Sequence, residues 1–328
     1  MYIKVKRIVI KSYPLYFLYT FANTMEKFEI HILGCGSALP TTKHFASSQV
    51  VNIREKLFMI DCGEGAQLQL RKSKLKFSRL NHIFISHLHG DHCFGLMGLI
   101  STFSMLGRTA DLHIHAPKEL EKLLLPQLHF FCKGMGYKVI FHTIDTQQQT
   151  CIYEDRSVIV YSIPLQHRIP CSGFLFTEKP TPNHIRRDMI DFYQIPICEL
   201  NRIKNGADYQ LPDGTYIPND RLTIPSDPPR KYAYCSDTVY NRKIIEQIRD
   251  VDLLFHEATF AESELARAKE TFHTTASQAG RIAREAQVKQ LLIGHFSARY
   301  DEESTLLKEA KSVFPNTILA KENLCVRL

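Results

Sequence analysis

The sequence contains no tryptophan and no Cys-x-x-Cys pair, and no apolar run reaches the ~18 residues that a membrane-crossing helix needs. The last absence excludes a helical integral membrane protein. The nine cysteines are odd in number and scattered from Cys35 to Cys325, so no disulfide framework is indicated. Reduced thiols in a cytosolic protein fit this usage better. Internal repeats and low-complexity tracts are also missing. With 44% hydrophobic and 23% charged residues, the composition excludes a disordered chain, a collagen and a coiled coil. At ~150 residues per domain, 328 residues make one large domain or two small ones.

Charge is present but unevenly spread. The formal net charge is +7, yet residues 1–24 hold Lys4, Lys6, Arg7 and Lys11 and no acid, which leaves +3 (7 − 4) from Met25 onward. The total is therefore a weak argument for an anionic partner. Residues 1–24 read as an N-terminal extension outside the fold, because an alternating strand and glycine turn, FEIHILGCGSALP, open directly after them. A targeting segment or an extra strand are the alternatives. Against a signal peptide, Pro14 interrupts the apolar stretch and no small-x-small site follows.

From residue 25 to about 178 the chain alternates apolar strands (EIHILGCG, QVVNI, KLFMIDCG, HIFIS, LHIHAP, VIVYSIPL) with helical stretches at Ala66–Lys74 and Leu96–Leu106. Prolines and Asn/Asp/Gly turn signals break the pattern across 179–231, which reads as an inserted, protruding arm. Strands KYAYCSDT, VDLLFHEATF and QLLIGHF follow, with helices from about Arg242, across Glu262–Ala286 and before the terminus. The fold class is α/β.

Fifteen histidines point to metal chemistry, and their densest group is His87-Leu88-His89-Gly90-Asp91-His92, directly after HIFIS. Three imidazoles and a carboxylate this close converge only where a strand ends and the chain turns. Imidazole and carboxylate donors without thiolate suit zinc in an open rather than a closed structural site. Further ligands are expected where other apolar strands end, at His167, Asp237 and His295. His113 and His115 share a strand face without a carboxylate and are read as structural. His31, His44, His82, His129, His142 and His184 stand isolated in sequence. The 20 Phe and 14 Tyr form no RNA-stacking motif and are read mainly as core.

HxHxDH resembles the signature of the metallo-β-lactamase superfamily. LGCGSALPT at 33–41, IDCGEGAQLQL at 60–70, SHLHGDHCFGL at 86–96, CSDT at 235–238, HEATF at 256–260, HTT at 273–275 and GHFSARY at 294–300 together resemble ribonuclease Z, the tRNA 3′-processing endonuclease family. The resemblance runs from about Phe28 to Tyr300. It implies an αββα sandwich of two mixed β-sheets flanked by helices over residues 25–328, with a tRNA-binding arm at about 179–231. It also implies two zinc ions per subunit, the first on His87, His89 and His167, the second on Asp91, His92 and His295, with Asp237 bridging. Asp91 would accept a proton from the attacking water. His273, before Thr274 and Thr275 at a helix start, would protonate the leaving oxygen, with Glu257 orienting it.

The implied substrate is precursor tRNA, cut 3′ of the discriminator nucleotide by a cytoplasmic homodimer. Two features depart from expectation: the arm lacks the family's Gly-Pro step, having Pro196 without an adjacent glycine, and it carries eight basic residues against seven acidic. The denser basic run is RKSKLKFSR at 71–79, with five positive residues and no acid. A phosphodiesterase or esterase of the same fold acting on a small substrate is the alternative, and a non-catalytic RNA-binding relative a third. A long arm argues against the second reading and a full ligand set against the third.

Overall fold

The structure, a computed structural model, describes residues 26–328, so the extension read over 1–24 lies outside the described residues. Strand patterning builds two seven-stranded sheets. The first carries β1 (Phe28–Gly34), β2 (Ser48–Ile53), β3 (Lys56–Ile60), β4 (Leu80–Phe84), β5 (Leu112–Ala116) and β6 (Val139–Thr143). The second carries β7 (Cys151–Glu154), β8 (Val158–Leu165), β9 (Cys171–Glu178), β10 (Lys231–Cys235), β11 (Leu253–Glu257), β12 (Gln290–Gly294) and β13 (Thr317–Leu319). A last strand, β14 (Cys325–Arg327), returns to pair with β1. Each sheet is mixed: β1–β2–β3 and β7–β8–β9–β10 pair antiparallel, β3–β4–β5–β6 and β10–β11–β12–β13 parallel.

Alternation decides which side chains meet between the sheets. Phe58 and Ile60 of β3 face the second sheet, while Leu57 and Met59 face the outer helices. The Phe58 and Phe84 rings contact Phe176 at centroid distances of 5.8 and 5.6 Å, so the two sheets interdigitate through aromatics. Outside the first sheet pack α1 (Ala66–Lys72), α2 (Gly90–Cys93), α3 (Leu96–Met105) and α4 (Glu119–Phe131); α5 (Leu265–Thr271), α6 (Ala276–Glu285) and α7 (Ser304–Val313) belong to the second half. Among the described residues no helix is long and apolar enough to cross a membrane.

Three details refine the sequence reading. The helix expected from Arg242 is only a 3₁₀ turn at Arg242–Ile244, since the segment buries Ile244, Ile245 and Ile248 in a few tight turns. Of the two threonines at the α6 start, only Thr275 caps: its hydroxyl accepts from the Gln278 N–H in a capping box, whereas Thr274 donates to the Thr238 carbonyl. Residues 179–231 leave and return between neighbouring strands, with Thr177 of β9 opposite Lys231 of β10. The segment gathers a small apolar cluster of its own from Ile195, Ile203, Tyr209, Ile217 and Leu222.

Candidate metal centre

The site collects at the C-terminal ends of β4, β8, β10 and β12, where the chain turns out of the sheets. After β4, Ile85 and Ser86 continue buried, and the next residues swing His87, His89, Asp91 and His92 round one turn. Two glycines permit this turn to lie against the β3–α1 loop. A Cβ on Gly63 would fall 2.3 Å from the Asp91 carbonyl oxygen, and one on Gly95 would fall 2.1 Å from the Gly63 oxygen. The backbones are locked there, since the Cys62 N–H donates to the His92 carbonyl at 2.8 Å.

All seven residues expected as ligands come together. His87, His89, His167 and Asp237 present donor atoms within 4.8 Å of one another, and so do Asp91, His92 and His295. Asp237 stands between the groups. Its Oδ1 lies 3.2 Å from His295 Nε2 and 3.5 Å from His92 Nε2; its Oδ2 lies 3.6 Å from His87 Nε2 and 3.8 Å from His167 Nε2.

Hydrogen bonds behind the imidazoles fix which nitrogen faces inward. The His92 Nδ1–H donates to Asp61 at 2.8 Å, and the His167 Nδ1–H donates to the Phe272 carbonyl at 3.0 Å. The Thr259 hydroxyl gives its proton to Glu257 and therefore accepts from His295 Nδ1 at 3.0 Å. By the same logic Ser86 donates to Asp61 and accepts from His87 Nδ1 at 3.0 Å. Four imidazoles thus engage their Nδ1 atoms behind the rings and aim Nε2 at two carboxylates, with His89 Nδ1 beside them. Such a donor set fits metal cations, and anchoring of this kind raises ligand basicity.

Electrostatics agree. Burial pushes the pKa values of His87, His89 and His167 down, keeping their lone pairs free. Burial opposes charge on His92 as well, but Asp237, Asp61 and Asp91 outweigh it and push its pKa up. Burial works against ionisation of Asp237 too, yet the imidazoles of His295, His92 and His87 hold its carboxyl well below the usual range. The cluster attracts positive charge. Asp91 accepts the Ala38 N–H at 2.7 Å and stands 3.4 Å from His92 and 3.5 Å from His295.

His273 and Glu257 are brought together, 2.9 Å apart through Nδ1. Burial disfavours a charged His273, but the Glu257 carboxylate beneath it more than compensates and raises its pKa to about 9. Glu257 also accepts the N–H groups of Thr238 and Thr259.

Sequence reasoning missed the supporting residues. Asp61 is wholly buried at φ 55° and accepts from Ser86 N–H, Ser86 hydroxyl, His92 and the Tyr234 hydroxyl. Its position at the end of an apolar strand, in IDCG, was the available signal. Two histidine groups read as isolated are paired. His82 and His142 join His115 and His113 at 3.2 and 2.9 Å, and His44 bridges Glu303 and Glu322, each at 3.1 Å.

The family described as Anti-Pycsar protein Apyc1 matches residues 28–162. Ribonuclease Z of Bacteroides fragilis strain YCH46 is 76% identical over 304 residues, covering 93% of this chain and 100% of that protein. Ribonuclease Z of Porphyromonas gingivalis strain W83 is 57% identical over 304 residues, covering 93% and 100%. Human tRNase Z, short form, superposes with a TM-score of 0.66 at 24% identity over 91% of this chain and 98% of its own. The metallo-β-lactamase-fold protein YhfI of Bacillus subtilis gives 0.65 at 18% identity over 92% and 100%. The solved structures carry the fold, and the sequence identities over nearly the whole chain carry the family: this chain belongs to the ribonuclease Z family, on the metallo-β-lactamase fold.

Proposed function

We propose that this protein is a zinc-dependent endoribonuclease that hydrolyses precursor tRNA 3′ of the discriminator nucleotide. The observation that carries the reading is Asp237, with one carboxylate oxygen toward His92 and His295 and the other toward His87 and His167. Zinc ions held by the two donor groups, His87, His89 and His167 with Asp237 and Asp91, His92 and His295 with Asp237, would supply a nucleophilic water near neutral pH and neutralise phosphodiester charge.

The remaining work falls to the chain. Asp91, held by the Ala38 N–H, takes the proton from the attacking water. As the new P–O bond forms, the bond to the 3′ oxygen breaks, and that oxygen needs a proton. His273 supplies it, with Glu257 holding its Nδ1 so that Nε2 is turned toward the substrate. The products are a tRNA 3′-hydroxyl and a trailer with a 5′-phosphate. The insertion at 179–231 grips the tRNA body, and a homodimer lets one protomer's insertion serve its partner's site. Precursor tRNA as substrate places the reaction in the cytoplasm.

Purified protein with zinc is incubated with a precursor tRNA bearing a 3′ trailer, beside Asp91→Ala and a small aryl phosphodiester. The reading expects cleavage at the discriminator by the parent chain and at least a 100-fold loss in the variant, on the order of a proton-transfer contribution. Hydrolysis of the small ester without cleavage of the tRNA favours the small-substrate phosphodiesterase instead.

A further inference from the structure

The cleft over the metal centre, about 990 Å³ in volume, has two chemically different contributions. Segments from the first half of the chain add apolar side chains that remain in water: Leu39 is 67% exposed, Leu68 54% and Phe94 74%. Segments from the second half add Arg168, Arg267 and Arg299, all exposed.

Phe94 is the most exposed of the three apolar residues, and the fold holds it there. Its ring lies over Gly90, where a Cβ would come within 2.4 Å of it, so it sits on the backbone between ligands His89 and Asp91. Leu39 follows Ala38, whose N–H holds Asp91. The neighbouring core contains Leu96, Leu99 and Phe103, yet Phe94 is not part of it. An aromatic ring in water forgoes the stabilisation of burial, and a cleft wall that keeps one exposed is suited to a flat apolar partner.

The arginines state what accompanies that partner. Arg168 directly follows ligand His167, and its guanidinium donates to the Glu270 carbonyl at 3.2 Å. Arg299 stands over the Phe260 ring at 5.5 Å and pairs with Glu264 at 2.8 Å. Arg267, on α5, makes no ion pair among the described residues. Phosphates along one side and an aromatic face along the other describe single-stranded nucleic acid, whose bases stack on such platforms whatever their identity.

We propose that Phe94, flanked by Leu39 and Leu68, is the stacking platform for a nucleobase next to the scissile phosphate, while Arg168, Arg267 and Arg299 receive the adjoining phosphates. The proposal rests on the endonuclease reading and adds to it the residue that positions the strand.

The test compares kcat/KM of the zinc-loaded wild type, Phe94→Ala and Phe94→Tyr on precursor tRNA with a natural or an abasic nucleotide at each position flanking the cut. Stacking predicts that Phe94→Ala loses roughly 5- to 150-fold on the natural substrate. At one flanking position the abasic substrate costs the wild type a similar factor, and Phe94→Ala then adds little to it. Phe94→Tyr stays near the wild type. In parallel, 2-aminopurine at that position, in a substrate with a non-cleavable linkage, is quenched on binding wild type and Phe94→Tyr but not Phe94→Ala. Equal, multiplicative losses at both positions, or quenching that survives Phe94→Ala, overturn the stacking role and leave the endonuclease reading intact. Absence of wild-type cleavage overturns both.

Discussion

Asp61 shows how much of the centre is built behind the ligands. A single buried carboxylate orients His92, holds Ser86 that in turn orients His87, and ties the turn to Tyr234 on the opposite sheet. Asp61→Asn keeps the size but loses the negative charge that fixes the His92 tautomer. We expect zinc affinity to fall roughly 10- to 100-fold, read by competition with a fluorescent chelator. The seven candidate ligands were legible because HxHxDH is local and the others terminate apolar strands. Asp61, Ser86 and Thr259 were not, since Asp61 and Thr259 act on residues far away in sequence, and the two hydroxyls accept from an imidazole only because each gives its own proton to a carboxylate. His44 is a second residue-scale case. Its hydrogen bonds to Glu322 and Glu303 raise its pKa above the ordinary 6.5, while burial opposes this. The resulting stability is present in full below about 6.5 and is lost as pH rises through the raised folded value. For Glu303 and Glu322, burial opposes ionisation, but Lys43 and then His44 at Glu303, and His44 with backbone N–H groups at Glu322, lower both pKa values, so their contribution fades only below the ordinary 4.5. The Tm difference between wild type and His44→Gln should therefore be largest between about pH 5 and 6.5 and shrink toward pH 9.

At the scale of elements, the start of α6 links stability to the site. Thr275 accepts from the Gln278 N–H and donates to Glu262 at 2.6 Å, two residues beyond His273. Thr275→Ala should cost about 1–2 kcal/mol in urea denaturation, with Thr275→Ser recovering most of it. Strands were readable from their alternation, and Pro164 did not prevent VIVYSIPL from pairing along its length, opposite Ser172. The Arg242 segment misled because Ile244, Ile245 and Ile248 carry helical spacing while the segment forms only tight turns. Spacing reports which side is buried, and one short turn satisfies it as well as a helix.

For the whole molecule, two mixed sheets with matching halves direct four strand ends at one point, which the alternation alone could not reveal. Period-two patterning says that a face is buried, not which distant strand covers it. The resemblance supplied that pairing, and residues 179–231 were legible as an interruption but not as a unit with its own apolar cluster. Because Thr177 and Lys231 sit opposite each other, a short Gly-Asn turn can replace residues 179–229 and leave β9 and β10 paired, with Arg230 kept as the partner of the buried Glu178 carboxylate. The shortened protein should keep its Tm within a few degrees and hydrolyse a small phosphodiester, while KM for precursor tRNA rises at least tenfold, as the proposed grip of the insertion on the tRNA body requires.

The central claim is a two-zinc endonuclease organised around Asp237. Zinc is titrated into metal-free protein while bound metal per chain and the rate of precursor tRNA cleavage are followed together. The account predicts that cleavage reaches its plateau at two zinc ions per chain, and that Asp237→Ala neither retains both ions nor cleaves. A plateau at one ion per chain, or full cleavage by Asp237→Ala, would contradict it.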